Sequence, residues 1–222
     1  MTKTSSQMTR PFPPDAAKKR FVALRYWLLG ANMKNALRSL TYNQKFFSGL
    51  RKDGVTPSFD HHIVQVNFLR PLLPHLIYPE ETICVVLSHD TPEDEGVSPD
   101  ELAKIFEDKE FGQRVSSGAW KMTKKFRGGN GAASSKEELS ELQSQCPMAS
   151  IAKGLDRIHN QQSMVGVFSK EKMRSYIEET ENYILPMLKK AEFNFPEQEP
   201  AYKNIRTVLK MQIEMVRHLI DQ

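Results

Sequence analysis

The sequence predicts an all-α fold organised as a single helical bundle. Apolar residues recur at helical spacing along most of the chain, and helix-start signals precede several of these stretches. No alternating pattern longer than a few residues indicates a strand. A chain of 222 residues can form one ordinary domain with its own core. We expect a flexible N-terminal segment over residues 1–20 and one domain over residues 21–222, ending in a C-terminal helix.

The first third of the chain predicts three helices. Apolar residues between positions 21 and 50 recur at helical spacing, with Gly30 as the break between two helices. A third helix should begin near Asp60, whose carboxylate could cap the free amides of the first turn. Pro71 and Pro74 should stop or kink this helix, because proline lacks an amide donor and clashes with the preceding turn.

The middle of the chain predicts two further helices. Pro79 stands at a tolerated first-turn position and opens a helix that carries an apolar strip and ends at Pro92. Ser98 and Glu101 have the spacing of a capping box, which should start another helix running through Phe106.

The last part of the chain predicts four helical stretches. We expect one over residues 111–126 and three more around residues 148–163, 170–190 and 200–220. The glycine-rich segment 128–135 between them indicates a loop, which is either a lid over a pocket or a solvated connector.

Composition excludes several classes of protein. The net charge of +4 suits an anionic ligand but is too small and too scattered to indicate binding to duplex nucleic acid. No apolar stretch approaches the roughly 18–20 residues of a membrane span, and the polar N-terminus lacks the apolar core of a secretory signal. The two cysteines are far apart, which argues against a zinc–thiolate site. We therefore expect a cytoplasmic protein, and its oligomeric state is left open.

Four side chains are candidate ligands for one divalent cation: His61, His89, Asp90 and Asp156. Two imidazoles and two carboxylates leave two positions of an octahedron for water and a phosphate oxygen, which suits Mn²⁺ or a similar cation better than tetrahedral zinc. The His89-Asp90 pair follows a run of apolar residues that is typical of a buried core. The pair itself lies at a helix end, where other helices can converge. The alternative is a chance His-Asp pair that only caps its helix.

Glu93 and Asp94 are candidate catalytic residues because they lie within one turn of the proposed cation ligands. Crowded carboxylates repel one another, so at least one should have a raised pKa and could transfer a proton. The alternative is an acidic loop that only meets solvent.

Three motifs together resemble the hydrolase domain of the RelA/SpoT alarmone proteins, an HD-type phosphohydrolase, and especially its small stand-alone members. They are Pro57-Ser58-Phe59-Asp60-His61, His89-Asp90-Thr91-Pro92-Glu93-Asp94 and Asp156-Arg157-Ile158-His159-Asn160. The similarity extends over residues 51–187. Each motif alone is weak, and the combination is specific.

The resemblance implies a function and a role for each matching residue. The four candidate ligands would hold Mn²⁺, and Glu93 and Asp94 would position and activate the attacking water. The substrate contacts would be Arg51, Lys52, Lys121, Lys124, Asn160 and Ser163. The implied reaction removes the 3′-pyrophosphate of guanosine 3′,5′-bis(diphosphate) or its pentaphosphate relative, giving GDP or GTP and pyrophosphate. For the basic cluster that begins at Lys124, a solvated helix end is the alternative.

Several departures from the family pattern, among them changes at two single positions, leave other functions open. Asp53 stands where the family has serine or threonine, and His62 replaces a usual proline. The alternatives are a phosphohydrolase for another phosphorylated nucleotide, such as an NADPH phosphatase or a nucleotidase, and a non-catalytic antitoxin or binding protein that keeps the fold.

Overall fold

α-Helices form nearly all the regular structure of this computed structural model, which describes residues 14–124 and 133–221. The prediction of an all-α fold is confirmed; within the described residues, β-structure is limited to two isolated bridges. The helices are α1 (Pro14–Gly30), α2 (Lys34–Asn43), α3 (Asp60–Leu69), α4 (Pro79–Ser88), α5 (Thr91–Asp94), α6 (Pro99–Ala103), α7 (Lys109–Trp120), α8 (Lys136–Ser144), α9 (Pro147–Met164), α10 (Lys170–Glu179), α11 (Leu185–Asn194) and α12 (Glu199–Asp221). Short 3₁₀ segments span Arg70–His75 and Pro196–Gln198, and a π-helical segment spans Thr180–Ile184.

Helix α4 lies at the centre of the core. It packs against α2, α3, α7 and α9, and residues 83–87 are completely buried. Each such side chain contributes about 1.5–3 kcal/mol of transfer free energy. Gly118 allows α7 to approach α4 closely, because a Cβ there would lie 2.7 Å from Val85 Cγ2. The C-terminal end of α4, and His89 just after it, is therefore held inside the molecule.

Helix α9 is the second central element. It lies between α3 and α4 on one side and α11 and α12 on the other. Gly154 permits its close packing on α12, since a Cβ there would lie 2.6 Å from Ile205 Cγ2. This packing fixes the position of Asp156, two residues further along α9.

The start of α3 differs from the prediction. The residue before its first turn is Phe59, and no side chain caps the free amides there. Asp60 instead accepts two hydrogen bonds from the Arg20 guanidinium, at 2.8 and 2.6 Å. The capping role was wrong because a charged partner 40 positions away offers stronger, charge-assisted bonds. Residues 14–20 form the first turns of α1, and residues 1–13 lie outside the described part, so the flexible N-terminal segment stays a prediction.

Several helix boundaries also differ from the prediction. Helix α4 ends at Ser88, and Pro92 lies in the first turn of the short helix α5, a position that tolerates proline. The capping box of Ser98 and Glu101 is confirmed, but its helix stops at Ala103. Helix α7 likewise stops at Trp120, short of the expected end at 126.

Helix α8 was not predicted, although the sequence carries its start signal. The Ser135 hydroxyl accepts a hydrogen bond from the Glu138 amide, which is the spacing used to find the helix after Ser98. The loop predicted over residues 128–135 includes Ser135, the residue that carries this signal. Its residues 128–132 lie outside the described part, so the proposed lid stays a prediction.

None of the helices in the described ranges combines the length and apolar character needed to cross a lipid bilayer.

Candidate functional site

The four predicted cation ligands lie together where α3, α4 and α9 converge. His61 Nε2 lies 3.1 Å from Asp156 Oδ1, and His89 Nε2 lies 3.9 Å from the same oxygen. Asp90 Oδ2 is 3.2 Å from His89 Nε2. His61, His89 and Asp90 each offer a ligand atom, and these atoms lie within 4.8 Å of one another, so the group can hold a divalent metal ion.

The hydrogen bonding of His89 suits a metal ligand. Its Nδ1 lies 2.8 Å from the Val86 carbonyl oxygen, which can only accept, so Nδ1 carries the proton. In the neutral ring this leaves the Nε2 lone pair free. Nε2 is buried and has no hydrogen-bond partner among the described residues. A backbone carbonyl that fixes the tautomer in this way is the usual support for a metal-binding histidine.

His61 is supported by a second histidine. Its Nδ1 lies 2.7 Å from His159 Nδ1, so one ring donates and the other accepts. Burial lowers the pKa of His61 well below its ordinary value and, with help from Arg51, lowers the pKa of His159 to about 4. Both rings are therefore neutral near pH 7. If His61 Nδ1 is the donor, the lone pair of His61 Nε2 faces Asp156. The amide nitrogen of Gln65 lies 2.6 Å from the same Nε2 atom.

The two carboxylates are ionised despite their surroundings. Burial would raise the pKa of Asp156, but Lys153 and His61 outweigh it and hold the pKa well below its usual range. The pKa of Asp90 is held low in the same way, by His89 and His62. Burial lowers the pKa of His89, yet Asp90 and Asp156 outweigh this effect and raise it to about 9. Near pH 7 the His89 ring therefore carries a second proton, on Nε2, and a bound cation would replace that proton and its positive charge.

His62 also belongs to this cluster. The sequence analysis gave it only as a departure from a family pattern. It is 1% exposed, and neither ring nitrogen has a hydrogen-bond partner within the described residues. Its Nε2 lies 3.5 Å from Asp90 Oδ2, beyond a well-formed hydrogen bond. The sequence signal that could have indicated His62 is its place directly after His61, the first candidate ligand.

Glu93 and Asp94, the candidate catalytic residues, lie on α5 beside the cluster. Asp94 lines the adjoining pocket, and desolvation together with the carboxylates of Asp90 and Glu93 raises its pKa to about 6. Glu93 does not line this pocket and is held by Lys124, whose backbone amide and Nζ lie 3.2 and 3.4 Å from its carboxylate. Asp94 is thus the better placed of the two for proton transfer.

A polar pocket of about 350 Å³ opens beside the cation ligands. Arg51 donates to Asn160 Oδ1 at 3.0 Å and lies 3.5 Å from Ser163 Oγ, so these three predicted contacts form one group in the pocket. Lys52 and Lys124 also line it. Five of the six predicted substrate contacts therefore face one cavity.

Lys121 is not among the residues that line the pocket, so its role as a substrate contact stays a prediction. It is the residue that follows the last turn of α7. Lys124 is the first residue after α7 that lines the pocket, and its backbone amide donates a hydrogen bond to Glu93.

Five charged or aromatic residues that line the pocket had no role predicted from the sequence: Lys153, Arg157, Phe168, Tyr176 and Glu179. Lys153 Nζ lies 2.9 Å from Asp156 Oδ2, and its spacing of three residues on a helix could have indicated this pair. Arg157 is buried, forms an ion pair with Glu179 and lies 4.4 Å from the centre of the Tyr176 ring. These contacts join α9 to α10, which local pattern alone does not specify.

Comparison with protein-family models gave no match for this chain, and comparison with curated proteins gave no significant relative.

Proposed function

We propose that this protein is a metal-dependent phosphohydrolase of a phosphorylated nucleotide, with guanosine 3′,5′-bis(diphosphate) or its pentaphosphate relative as substrate and Mn²⁺ as the cation. The observation that carries the proposal is the His61, His89 and Asp90 group, which opens to a polar pocket lined by five cationic and five acidic side chains. The mixed nitrogen and oxygen ligand set favours an octahedral cation such as Mn²⁺.

The charge of the pocket supports an anionic substrate. Lys153 and Arg157 are neutralised by Asp156 and Glu179, with which they form ion pairs. Arg51 bonds to a neutral amide, so its charge is available to a ligand. A bound divalent cation would offset the carboxylates beside it and leave the pocket positive, which suits a polyphosphate.

The pocket also offers flat surfaces suited to a nucleobase. Phe168 and Tyr176 line it, and Lys52 Nζ lies 5.7 Å from the centre of the Phe168 ring. Aromatic faces stack on bases regardless of sequence, while nearby cations hold phosphates. This combination favours a nucleotide over an inorganic polyphosphate.

Asp53, the departure nearest the expected nucleotide, folds back on its own loop. Its Oδ1 accepts hydrogen bonds from the amides of Val55 and Thr56, both at 2.9 Å. Its Oδ2 accepts from the Thr56 hydroxyl at 2.6 Å. The acid that replaces the family's serine or threonine thus stabilises the loop that presents Arg51 and Lys52, which is compatible with a polyphosphate substrate.

The reaction can be assigned to named groups of the chain. A bound cation would polarise a phosphate oxygen and make a neighbouring water acidic enough to attack near neutral pH. The water oxygen bonds to the phosphorus next to the ribose 3′-oxygen, the bond to that oxygen breaks, the 3′-oxygen takes up a proton from solvent to become a hydroxyl, and pyrophosphate is released. Asp94 is placed to take the proton of the water. Arg51 and Asn160 orient the nucleotide, and Lys153 and Asn160 hold Asp156 in position.

The test is a substrate screen with protein that carries one equivalent of Mn²⁺. Guanosine 3′,5′-bis(diphosphate), NADPH and nucleoside monophosphates are incubated in parallel, and products are separated by ion exchange and assigned by ³¹P NMR. The proposal expects GDP and pyrophosphate from the first substrate, and no reaction with Asp90→Asn protein. The exposed Asp100→Asn variant is the matched control and should keep full activity. Hydrolysis of NADPH alone would replace the substrate, and no hydrolysis at all would refute the proposal.

A further inference from the structure

A buried polar group joins the end of α2 to the residues on either side of the His89-Asp90 pair. It consists of four uncharged side chains, each 0% exposed: Ser39, Asn43, Ser88 and Thr91. Ser88 directly precedes the pair in the sequence, and Thr91 directly follows it. Buried polar groups that are fully hydrogen-bonded to one another hold a part of the core in one arrangement.

The amide of Asn43 contacts both flanking residues. Its Nδ2 donates to Ser88 Oγ at 2.9 Å, and its Oδ1 accepts from Thr91 Oγ1 at 2.6 Å. The orientation of the amide is determined, because Nδ2 also lies 2.8 Å from the Ser39 carbonyl oxygen, which can only accept. One side chain therefore bridges the last residue of α4 and the first residue of α5, and we call these two contacts the Asn43 bridge.

Helix α2 is a fixed base for this bridge, since it is bonded to α4 at both ends. Where the two helices begin, Glu80 Oε1 accepts hydrogen bonds from the amides of Asn35 and Ala36, at 2.8 and 3.0 Å. Where they end, Asn43 donates to Ser88. The Asn35 and Asn43 contacts each join residues 45 positions apart, so the helices run side by side in one register. This register fixes where Asn43 meets the end of α4.

We propose that Asn43 is a positioning residue for the cation site, which fixes the orientation of His89 and Asp90 through their two neighbours. The inference rests on the cation site of the proposed function and does not depend on the substrate. The pair forms the two-residue connection between α4 and α5, and the Asn43 bridge spans this connection. Metal ligands need such support, because their side chains must be held close to the binding geometry before the ion arrives.

The experiment measures the Mn²⁺ affinity of the full chain by equilibrium dialysis with metal analysis. Thr91→Val removes the hydroxyl that bonds to Asn43 and keeps the shape of the side chain, so Mn²⁺ should bind about 10-fold more weakly. Asn43→Leu removes the whole bridge and should weaken binding about 10- to 100-fold. The double variant should bind Mn²⁺ no more weakly than Asn43→Leu alone, because the two residues act through one bridge.

Tyr202→Phe is the matched control, because it also removes one buried hydroxyl, which bonds to Ser150 Oγ at 2.8 Å between α9 and α12. Its Mn²⁺ affinity should equal that of the wild type, whatever change in stability denaturant titration gives. A loss of affinity in Thr91→Val then reports on the ligands and not on general stability, and this variant decides the matter if Asn43→Leu does not fold.

Two results would overturn the positioning role of Asn43 and leave the cation site in place. One is an unchanged Mn²⁺ affinity of Thr91→Val, and the other is an equal loss of affinity in Tyr202→Phe. Wild-type protein that binds no Mn²⁺ would overturn both the positioning role and the proposed function.

Discussion

At the residue scale, the state of the candidate cation site is set by which ring nitrogen carries a proton. The carbonyl oxygen of Val86 determines that His89 Nδ1 carries a proton, and His61 and His159 share one proton between their two Nδ1 atoms. The residue types at these positions could be predicted from sequence because they form ordered motifs. The supporting contacts could not, because His159 and His61 are 98 positions apart and their approach depends on how α3 packs on α9.

Gln65 provides a prediction at this scale. Its amide nitrogen lies 2.6 Å from His61 Nε2, the atom through which His61 would bind a cation. Gln65→Leu removes this competitor, so the affinity for Mn²⁺ should rise about 2- to 10-fold, the worth of one ordinary hydrogen bond. Equilibrium dialysis with metal analysis measures the change. Weaker binding in the variant would mean that Gln65 supports the site and does not compete for it.

Asp94 provides a second residue-scale prediction. Its raised pKa of about 6 keeps it half protonated near that pH, and a protonated carboxyl cannot accept a proton from water. Asp94→Asn should reduce the rate of nucleotide hydrolysis about 100-fold or more while leaving Mn²⁺ bound. Single-turnover kinetics alongside metal analysis measures both quantities. An unchanged rate would transfer the proton-accepting role to another group.

At the element scale, close packing of α7 on α4 holds the end of α4 in place. The apolar strip of α4 was predictable from its composition, but the need for Gly118 was not, because it arises from the approach of a separate helix. The same limit explains Asp60, where an ion pair with Arg20 replaced the predicted cap. It does not explain α8, whose capping signal at Ser135 was present in the sequence.

Gly118→Ala tests the packing of α7 on α4. The added methyl group would lie 2.7 Å from Val85 Cγ2, and a β-branched side chain inside a helix cannot easily move aside. We expect a loss of about 1–3 kcal/mol in the free energy of unfolding, measured by denaturant titration. Gly30→Ala is the control, since a Cβ there meets nothing within 4 Å. Combining Gly118→Ala with Val85→Ala should recover part of the loss. Equal stability of Gly118→Ala and Gly30→Ala would contradict the account.

At the scale of the whole molecule, the ion pair of Arg157 with Glu179 ties α9 to α10 beside the pocket. Burial would raise the pKa of Glu179, but Arg157 and Lys136 outweigh it and lower the pKa from 4.5 to about 2. A carboxyl whose pKa falls on folding stabilises the fold above its unfolded pKa. That contribution is lost as the pH falls from about 4.5 toward 2.

Glu179→Gln should therefore destabilise the protein in a pH-dependent way. At pH 7 the loss is expected to be about 2–3 kcal/mol, because the buried Arg157 charge loses its partner. The difference from wild type should shrink as the pH is lowered below about 4.5. Denaturant unfolding at several pH values measures it, with the exposed neighbour Glu178→Gln as control. A difference that stays constant with pH would contradict the assigned pKa.

The central claim is that four side chains from three parts of the chain hold one divalent cation. The most direct test is a crystal of the protein grown with Mn²⁺, with the ion located by its anomalous scattering. The account predicts one peak about 2.0–2.5 Å from ligand atoms of His61, His89, Asp90 and Asp156. A peak bound elsewhere, or no peak between these residues at saturating Mn²⁺, would contradict it.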